Sequence, residues 1–536
     1  MNFRRLAAVL TAAALTTTAC GGSQETAPPP TSLEGGQVVF AVNDLPTSWN
    51  PASTAWAGPA TTIARTFLDP LVVVDQNGGW QPYLAESLTP NADATQWDIT
   101  LRDGITFHDG TPLNAEALVA NLNNALGGIV LGPPLKSVTD ITIANPLTVR
   151  ITLNERHANF PLLFTSQGGY ILAPATLTAY ANGETGVRPI GTGPWQFSID
   201  DSDGVIVTKN RNYWRFDADG NRLPYLDKIE FRLEPDVLTR RILLESGDID
   251  ALLDNTPAQV RQWADGTLSP GFTVIVDDNF SDRTYGALNT QTGPFFDVRL
   301  RRAAALATDR QAVVDLVGGG YPATDGPYTP DSPWYASSGW PDPNPDEAKR
   351  LVAQWTAENN GVPPQVDLVV SQGINQLKLA QTLETQWENV GFNVNVRSFP
   401  TEQFIVELVT GQFDALVVQQ FSSVDPVGDE SFWRAQTINP EGQLSLNFPR
   451  FSNGVIEEGL RQARATTDYE TRKAGYTAVW REWAKEFPYL FLFSSPQAAV
   501  SSPRIQNVGI LTTPDGQQAA EFSWGGTWLT QTSETK

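Results

Sequence analysis

The sequence predicts a protein of two or three domains that joins an α/β unit to a mixed α+β region. Three observations support this fold class. The 536 residues are too many for one hydrophobic core. Residues 96–126 alternate short strands, turns and one helix, whereas residues 364–418 read as a β-α-β-α-β run. Strands in a run of this second kind pair in parallel through right-handed crossovers.

The beginning of the chain reads as an export signal followed by a tether. Two arginines precede the apolar residues 6–19, which are too few to span a bilayer and are typical of a secretory signal peptide at 1–19. The lone cysteine, Cys20, follows directly and resembles the acylated cysteine of bacterial lipoproteins. Residues 20–36 are rich in Gly, Ser, Thr and Pro and predict a flexible tether. We expect ordered structure to begin near Gln37, with a strand.

The mixed region shows its elements at residues 96–126. Apolar residues alternate with polar ones over 97–101, which predicts a strand with one buried face. An Asp-Gly turn, a second short strand at 105–107 and another Asp-Gly turn follow. Asn114 then caps a helix whose leucines recur every four residues, and Gly127 ends it.

The α/β unit occupies residues 364–418. The strand QVDLVV is followed by a helix that has apolar residues on one face and ends at Gly391. A second strand at 392–396, a helix from Thr401 and a third strand at 413–418 complete the unit. The chain therefore contains at least one α/β unit beside the mixed α+β region.

Composition excludes several classes of function. The chain has 59 acidic and 36 basic residues, so it lacks the basic surface that nucleic acid binding requires. One cysteine permits neither a disulfide within the chain nor a cysteine-rich metal site. Of the two histidines, His108 is predicted to be a hydrogen-bonded turn residue and His157 a solvent-exposed loop residue. The sequence has no nucleophile-elbow, phosphate-loop or paired-histidine motif, so we expect no enzymatic activity, cofactor or metal.

A series of short motifs, in order over nearly the whole chain, resembles the family 5 extracellular solute-binding proteins of bacterial ABC importers, the dipeptide, oligopeptide and nickel class. The series comprises Leu45–Pro51, Asp69–Val72, Pro82–Ser87, Trp97–Gly110, Pro189–Trp195, Asn210–Trp214, Pro224–Ile229, Gly247–Asp250, Phe296–Leu306, Gly411–Asp414 and Asp425-Pro426.

The resemblance implies a two-lobe periplasmic-binding-protein-like fold with a ligand buried between the lobes. Closure around that ligand would be a population shift toward a state in which both lobes contact it. The expected divisions are lobe I at 37–278 with a subdomain inserted at about 52–187, lobe II at 279–488, a return to lobe I at 489–536, and hinge crossings near 275–285 and 487–497.

The resemblance also implies a function and partners. We expect a monomeric, extracytoplasmic substrate-binding protein that delivers a small molecule to the permease subunits of an ABC importer. Its membrane contact would be the lipid on Cys20 alone, at the outer face of the cytoplasmic membrane.

Ligand contacts are expected at a tryptophan near the N-terminus and in the loop before Asp425-Pro426. Peptide-binding relatives carry an aspartate four residues before this proline, where Ser422 stands here. Trp56 lies fourteen residues before Pro70, where nickel-binding relatives carry an aromatic pocket residue. The candidate binding residues are Trp56, Tyr170, Gln419, Gln420, Phe421 and Ser422.

The hydroxyl and amides of this loop suit a neutral ligand better than an ammonium group. A shift of register would instead supply a carboxylate from Asp425 or Asp429. Peptide uptake is the leading class. A blocked peptide, an oligosaccharide, a metal chelate and a role as an envelope sensor stay open, whereas the lack of catalytic motifs disfavours a secreted hydrolase on a similar scaffold.

Overall fold

The computed structural model describes residues 33–529 except 57, 77, 202–203, 269, 318, 422, 510 and 521–522. The predicted signal peptide, Cys20 and the tether up to residue 32 lie outside the described residues, and so does Ser422. The side chain of Phe421 is likewise not described.

The described chain contains both strands and helices throughout, and the first strand begins at the predicted residue, Gln37. The strands are β1 Gln37–Val42, β2 Val72–Val74, β3 Trp80–Pro82, β4 Ala85–Pro90, β5 Gln96–Leu101, β6 Val138–Asn145, β7 Thr148–Leu153, β8 Trp195–Asp201, β9 Gly204–Lys209, β10 Lys228–Leu233, β11 Ala251–Asp254, β12 Thr273–Leu288, β13 Gln365–Ser371, β14 Asn393–Phe399, β15 Ala415–Phe421, β16 Tyr489–Ser501, β17 Ile505–Gln506 and β18 Trp528–Leu529. The α-helices are α1 Gly58–Phe67, α2 Ala115–Gly127, α3 Pro174–Ala181, α4 Val237–Ser246, α5 Pro257–Ala264, α6 Val298–Ala307, α7 Arg310–Val317, α8 Pro345–Glu358, α9 Ile374–Glu388, α10 Thr401–Thr410, α11 Gly454–Arg464 and α12 Tyr469–Glu486. Short 3-10 helices lie at Phe160–Phe164, Gln167–Gly169, Pro294–Phe296, Pro426–Phe432 and Ala435–Thr437.

Two long strands join the two halves of one ten-stranded sheet, whose order is β14-β13-β15-β12-β16-β11-β1-β10-β9-β8. β12 and β16 pair antiparallel over nearly their full length, with a register shift between Asp277 and Asp282. On one side of this shift β16 pairs with β11, and on the other β12 pairs with β15. The predicted crossings near 275–285 and 487–497 therefore fall on β12 and β16.

The α/β unit forms one end of this sheet, and its three strands pair in parallel as predicted. β13 pairs in parallel with both β14 and β15, and the crossover helices are α9 and α10. Leu379, Leu383 and Trp387 of α9 are buried against the sheet, which explains their four-residue spacing. The third strand begins at Ala415, two residues later than predicted.

The inserted region has a sheet of its own, in the order β4-β5-β7-β6. β5 buries Trp97, Ile99 and Leu101, and Asn114 caps α2 by accepting a hydrogen bond from the backbone N–H of Ala117 at 3.0 Å. The strand predicted at 105–107 is reduced to a single bridge between Thr106 and Pro112, because two Asp-Gly turns leave no room for a longer ladder.

The buried apolar side chains form separate clusters, one in each half of the ten-stranded sheet and one on the four-stranded sheet. One cluster lies around β13, β15 and helices α6 to α12, another fills the four-stranded sheet, and a third lies between α1 and strands β1 and β8 to β10. Separate cores allow the two halves to move as rigid bodies about the strands that join them. The fold is therefore the two-lobe arrangement that the sequence predicts.

Candidate functional site

A cavity of about 290 Å³ lies between the two halves of the ten-stranded sheet. One wall carries Trp56 and Arg65, near α1, and Phe164 of the inserted region. The opposite wall carries Asp429 and Phe432, which lie in the 3-10 helix after β15. The joining strands β12 and β16 form its base. A cavity of this kind takes a small molecule that contacts both lobes at once.

Trp56 belongs to the wall of this cavity, and Tyr170 stands behind it. The indole N–H of Trp56 donates to the carbonyl oxygen of Ser48 at 3.0 Å, and its ring lies 6.0 Å from that of Trp49. The Tyr170 ring is tilted against Trp56 at 5.9 Å, and its hydroxyl accepts a hydrogen bond from Arg65 at 2.8 Å. A hydrogen-bonded ring fixed on two sides offers a rigid apolar surface to a ligand.

The two candidate glutamines lie at the end of β15 and do not line the cavity. Gln419 donates to Asp282 at 2.9 Å, and the Gln420 amide oxygen accepts a hydrogen bond from the hydroxyl of Tyr285. Neither glutamine is among the described residues that line the cavity, whereas Ser423, just beyond them, is. Both glutamines lie on β15, and both side chains are held by hydrogen bonds to residues of the adjacent strand β12.

Asp425 and Asp429, the two carboxylates that a shift in the alignment of this loop would place at the ligand, are each bound by an arginine. Arg472 binds Asp425 through two hydrogen bonds of 2.8 and 2.5 Å, and both side chains are buried. Arg283 binds Asp429 at 2.6 Å. Asp429 is the one carboxylate among the described residues that line the cavity, and its charge is already compensated. The arginines lie 47 and 146 residues away in sequence, so no local pattern indicated these pairs.

A further carboxyl group, that of Asp282, lies where β12 crosses between the lobes. Burial raises the pKa of Asp282 to about 7, against the opposing effect of hydrogen bonds from Gln419 and Gln497. Gln497 itself lines the cavity. Sequence reasoning missed Asp282, because nothing in its strand distinguishes it from the acidic residues nearby.

The two histidines stand apart from the cavity. A ring nitrogen of His108 lies 3.0 Å from the carbonyl oxygen of Gly193, and burial lowers the pKa of His108 to about 4. The prediction that His157 is solvent-exposed is wrong, since only 3% of it is exposed. Its loop folds under lobe II, and burial together with the charges of Arg464 and Arg434 lowers the pKa of His157 well below its ordinary value.

Several motifs of the predicted series meet at one buried carboxyl group. Asp69 accepts hydrogen bonds from Thr192 at 2.9 Å, Tyr213 at 3.0 Å and Trp214 at 2.9 Å. Gly193 packs so closely on the backbone of Phe67 that a methyl group would overlap it. These motifs therefore maintain the scaffold of lobe I rather than contacting a ligand.

The fold and the cavity define a two-lobe binding protein, and comparison with known proteins identifies the family. Residues 79–440 match the model of the bacterial extracellular solute-binding proteins, family 5, and the chain belongs to that family. The family consists of substrate-binding components of transporters, is extracytoplasmic, and is not a family of enzymes.

Curated relatives and solved structures agree with this assignment. The chain is 26% identical to the glutathione-binding protein GsiB of Salmonella typhi over 438 residues, which cover 78% of this chain and 82% of that protein. It is 24% identical to the nickel-binding periplasmic protein of Escherichia coli over 497 residues, 87% of this chain and 92% of that one. The oligopeptide-binding protein AppA of Bacillus subtilis, solved with a nonapeptide, superposes with a TM-score of 0.76 at 20% identity, covering 93% of this chain and 99% of AppA. Within the described residues, no helix is long and apolar enough to cross a membrane.

Proposed function

We propose that this protein is the substrate-binding lipoprotein of a bacterial ABC importer, and that it captures a peptide or peptide-sized solute between closing lobes and delivers it to the permease. The observation that carries the proposal is the cavity lined from both lobes and from the strands that join them. Proposed lobe boundaries are 37–278 and 489–536 for lobe I and 279–488 for lobe II, with the insertion at about 52–187.

Closure about β12 and β16 is the proposed mechanism of capture. A ligand that contacts both walls binds the closed state more tightly and shifts the population toward it. Small-angle X-ray scattering of the purified protein, with and without the solute that native mass spectrometry detects in it, should show a smaller radius of gyration when the solute is bound. An unchanged radius at saturating solute, starting from an open free protein, would contradict closure.

The charges around the cavity favour a solute without a free α-amino group. Burying an ammonium group between lobes requires a carboxylate partner, and Asp429 is already bound to Arg283. Supporting contacts are proposed from Trp56 and Tyr170 on one lobe, and from Gln419, Gln420 and Phe421 at the end of β15 and Ser422 directly after it on the other. Blocked or modified peptides fit this proposal best.

A non-peptide solute is the second candidate, supported by the rigid Trp56 surface, on which a sugar ring or a planar chelate could stack. Calorimetry separates the classes with four probes: a dipeptide library, the same library acetylated at the amine, oligosaccharides, and nickel with histidine. Binding of dipeptides that acetylation leaves unchanged supports the blocked-peptide proposal. Binding that requires a free amine would refute it, and binding of the last two probes alone would select the second candidate.

Anchoring through Cys20 is proposed from the sequence alone. Changing Cys20 to Ala removes the only thiol that acylation can use, so the variant should appear in the medium or periplasm instead of the membrane fraction. A variant as membrane-bound as the wild type would place the anchor elsewhere. The proposed protein is a monomer without cofactor or catalytic activity.

A further inference from the structure

A loop of the inserted region contacts lobe II at a place outside the ligand cavity. This loop follows β7 and contains Glu155, Ala158 and Asn159. Its partners are Arg434, in the turns after the 3-10 helix Pro426–Phe432, and Arg464, at the end of α11. The contact joins the two bodies whose separate cores lie on opposite sides of the cavity.

The charged part of this contact is a carboxylate between two guanidinium groups. Glu155 lies 2.8 Å from Arg434 and 3.3 Å from Arg464. Arg464 has a second partner within lobe II, Glu430, at 2.6 Å. Among the described residues, the ion-pair partner of Arg434 is Glu155 alone. Lobe II therefore presents a positive charge that the inserted region neutralises when the lobes meet.

The uncharged part of this contact donates hydrogen bonds to carbonyl oxygens at the C-terminal end of α11. The backbone N–H of Ala158 donates to the carbonyl oxygen of Arg464 at 2.7 Å. The side-chain amide of Asn159 donates to the carbonyl oxygens of Ala463 at 3.2 Å and Thr466 at 2.8 Å. The last carbonyls of a helix have no partner within that helix, and those of Ala463 and Arg464 in α11 receive hydrogen bonds from the opposite lobe.

We infer that Glu155, Ala158 and Asn159 together with Arg434 and Arg464 form an interlobe latch that sets the balance between open and closed states. This inference rests on the proposed capture by closing lobes. Glu155 acts as a positioning residue: it contacts lobe II rather than the solute, and it raises the affinity for any solute by raising the closed fraction.

Hydrogen exchange of the full-length protein, saturated with the solute that native mass spectrometry detects in it and therefore closed, tests the latch. The Ala158 amide is protected by a bond that exists only while the lobes touch. Changing Glu155 to Gln, or Arg434 to Gln, should accelerate its exchange about tenfold, a change of ~1.4 kcal/mol. The double variant should exchange no faster than Glu155→Gln alone, because that change already removes the ion pair with Arg434.

Two internal references separate opening from unfolding. Amides of β5 and β7 belong to the same inserted region and should keep wild-type exchange rates in every variant. Glu86→Gln removes an exposed carboxylate from β4 of that region and should leave the Ala158 amide unchanged. A wild-type rate in Glu155→Gln, an unprotected Ala158 amide in the wild type, or equal acceleration in β5 and β7 would overturn the latch. None of these results bears on solute binding, which calorimetry tests separately.

Discussion

The buried pair of Asp425 and Arg472 gives the sharpest test of how the loop after β15 is held. Changing Asp425 to Asn keeps the shape of the side chain, and its amide oxygen can still accept the hydrogen bond that Val427 donates at 3.0 Å. The change removes the charge that Arg472 requires. The guanidinium group would then remain buried beside the rings of Trp334 and Tyr476, 4.7 and 5.9 Å from their centres.

The expected cost follows from the burial of the pair. The two side chains are 5% and 7% exposed, and they form a two-point hydrogen-bonded contact. Removing one partner of such a pair costs about 3–5 kcal/mol, because the other charge is left without compensation. Replacing both partners, as in Asp425→Asn with Arg472→Met, should recover most of this loss, since no isolated charge is then buried.

Urea unfolding followed by tryptophan fluorescence measures these differences. The single variant should lose about 3 kcal/mol or more in the transition of lobe II, and the double variant about 1 kcal/mol. A single variant within 0.5 kcal/mol of the wild type would refute the structural role of the pair. Loss of solute binding with unchanged stability would show instead that Asp425 serves the ligand.

Three further changes test other parts of the structure. In urea unfolding, Asp282→Asn should be more stable than the wild type by about 4 kcal/mol at pH 8 and nearly equal to it at pH 4. The reason is that the pKa of Asp282 is about 7 in the folded chain, which therefore binds the proton more tightly than the unfolded chain does. The free energy of unfolding of the wild type consequently falls between about pH 4 and pH 7, and that of the variant does not. Gly193→Ala should lower the free energy of unfolding by about 1–3 kcal/mol, because its methyl group would lie 2.5 Å from the carbonyl carbon of Phe67. The control Gly127→Ala has open space around its methyl group and should leave the free energy of unfolding unchanged. Equal urea midpoints for the two variants would contradict this. Trp56→Ala should lower the free energy of unfolding by about 3–5 kcal/mol and weaken solute binding in calorimetry. Trp56→Phe should keep most of the stability and most of the affinity. Unaltered binding in the alanine variant would show that this ring does not contact the solute.

Local patterns predicted most elements correctly, since they depend on neighbours in sequence. The leucine spacing of α2 and the Asn114 cap fixed the position of that helix, and the three strands of the α/β unit followed from their apolar runs. The prediction of a short strand at 105–107 was wrong, because the tight turn that follows leaves room for a single bridge only. The prediction for His157 was wrong because its loop packs against residues that are distant in sequence: its carbonyl oxygen accepts a hydrogen bond from Trp97, and the charge of Arg464 at the end of α11 acts on its ring.

The sequence by itself determined the fold class, the family and the absence of a basic or cysteine-rich surface, because composition, periodicity and motif order are properties of the chain alone. Only the tertiary structure decided which polar groups face the cavity. Asp425 and Asp429 are equivalent acidic residues in the sequence, and distant arginines engage both. A carboxylate is available to a ligand only if no charge of the protein already compensates it, and that depends on residues that folding alone brings together.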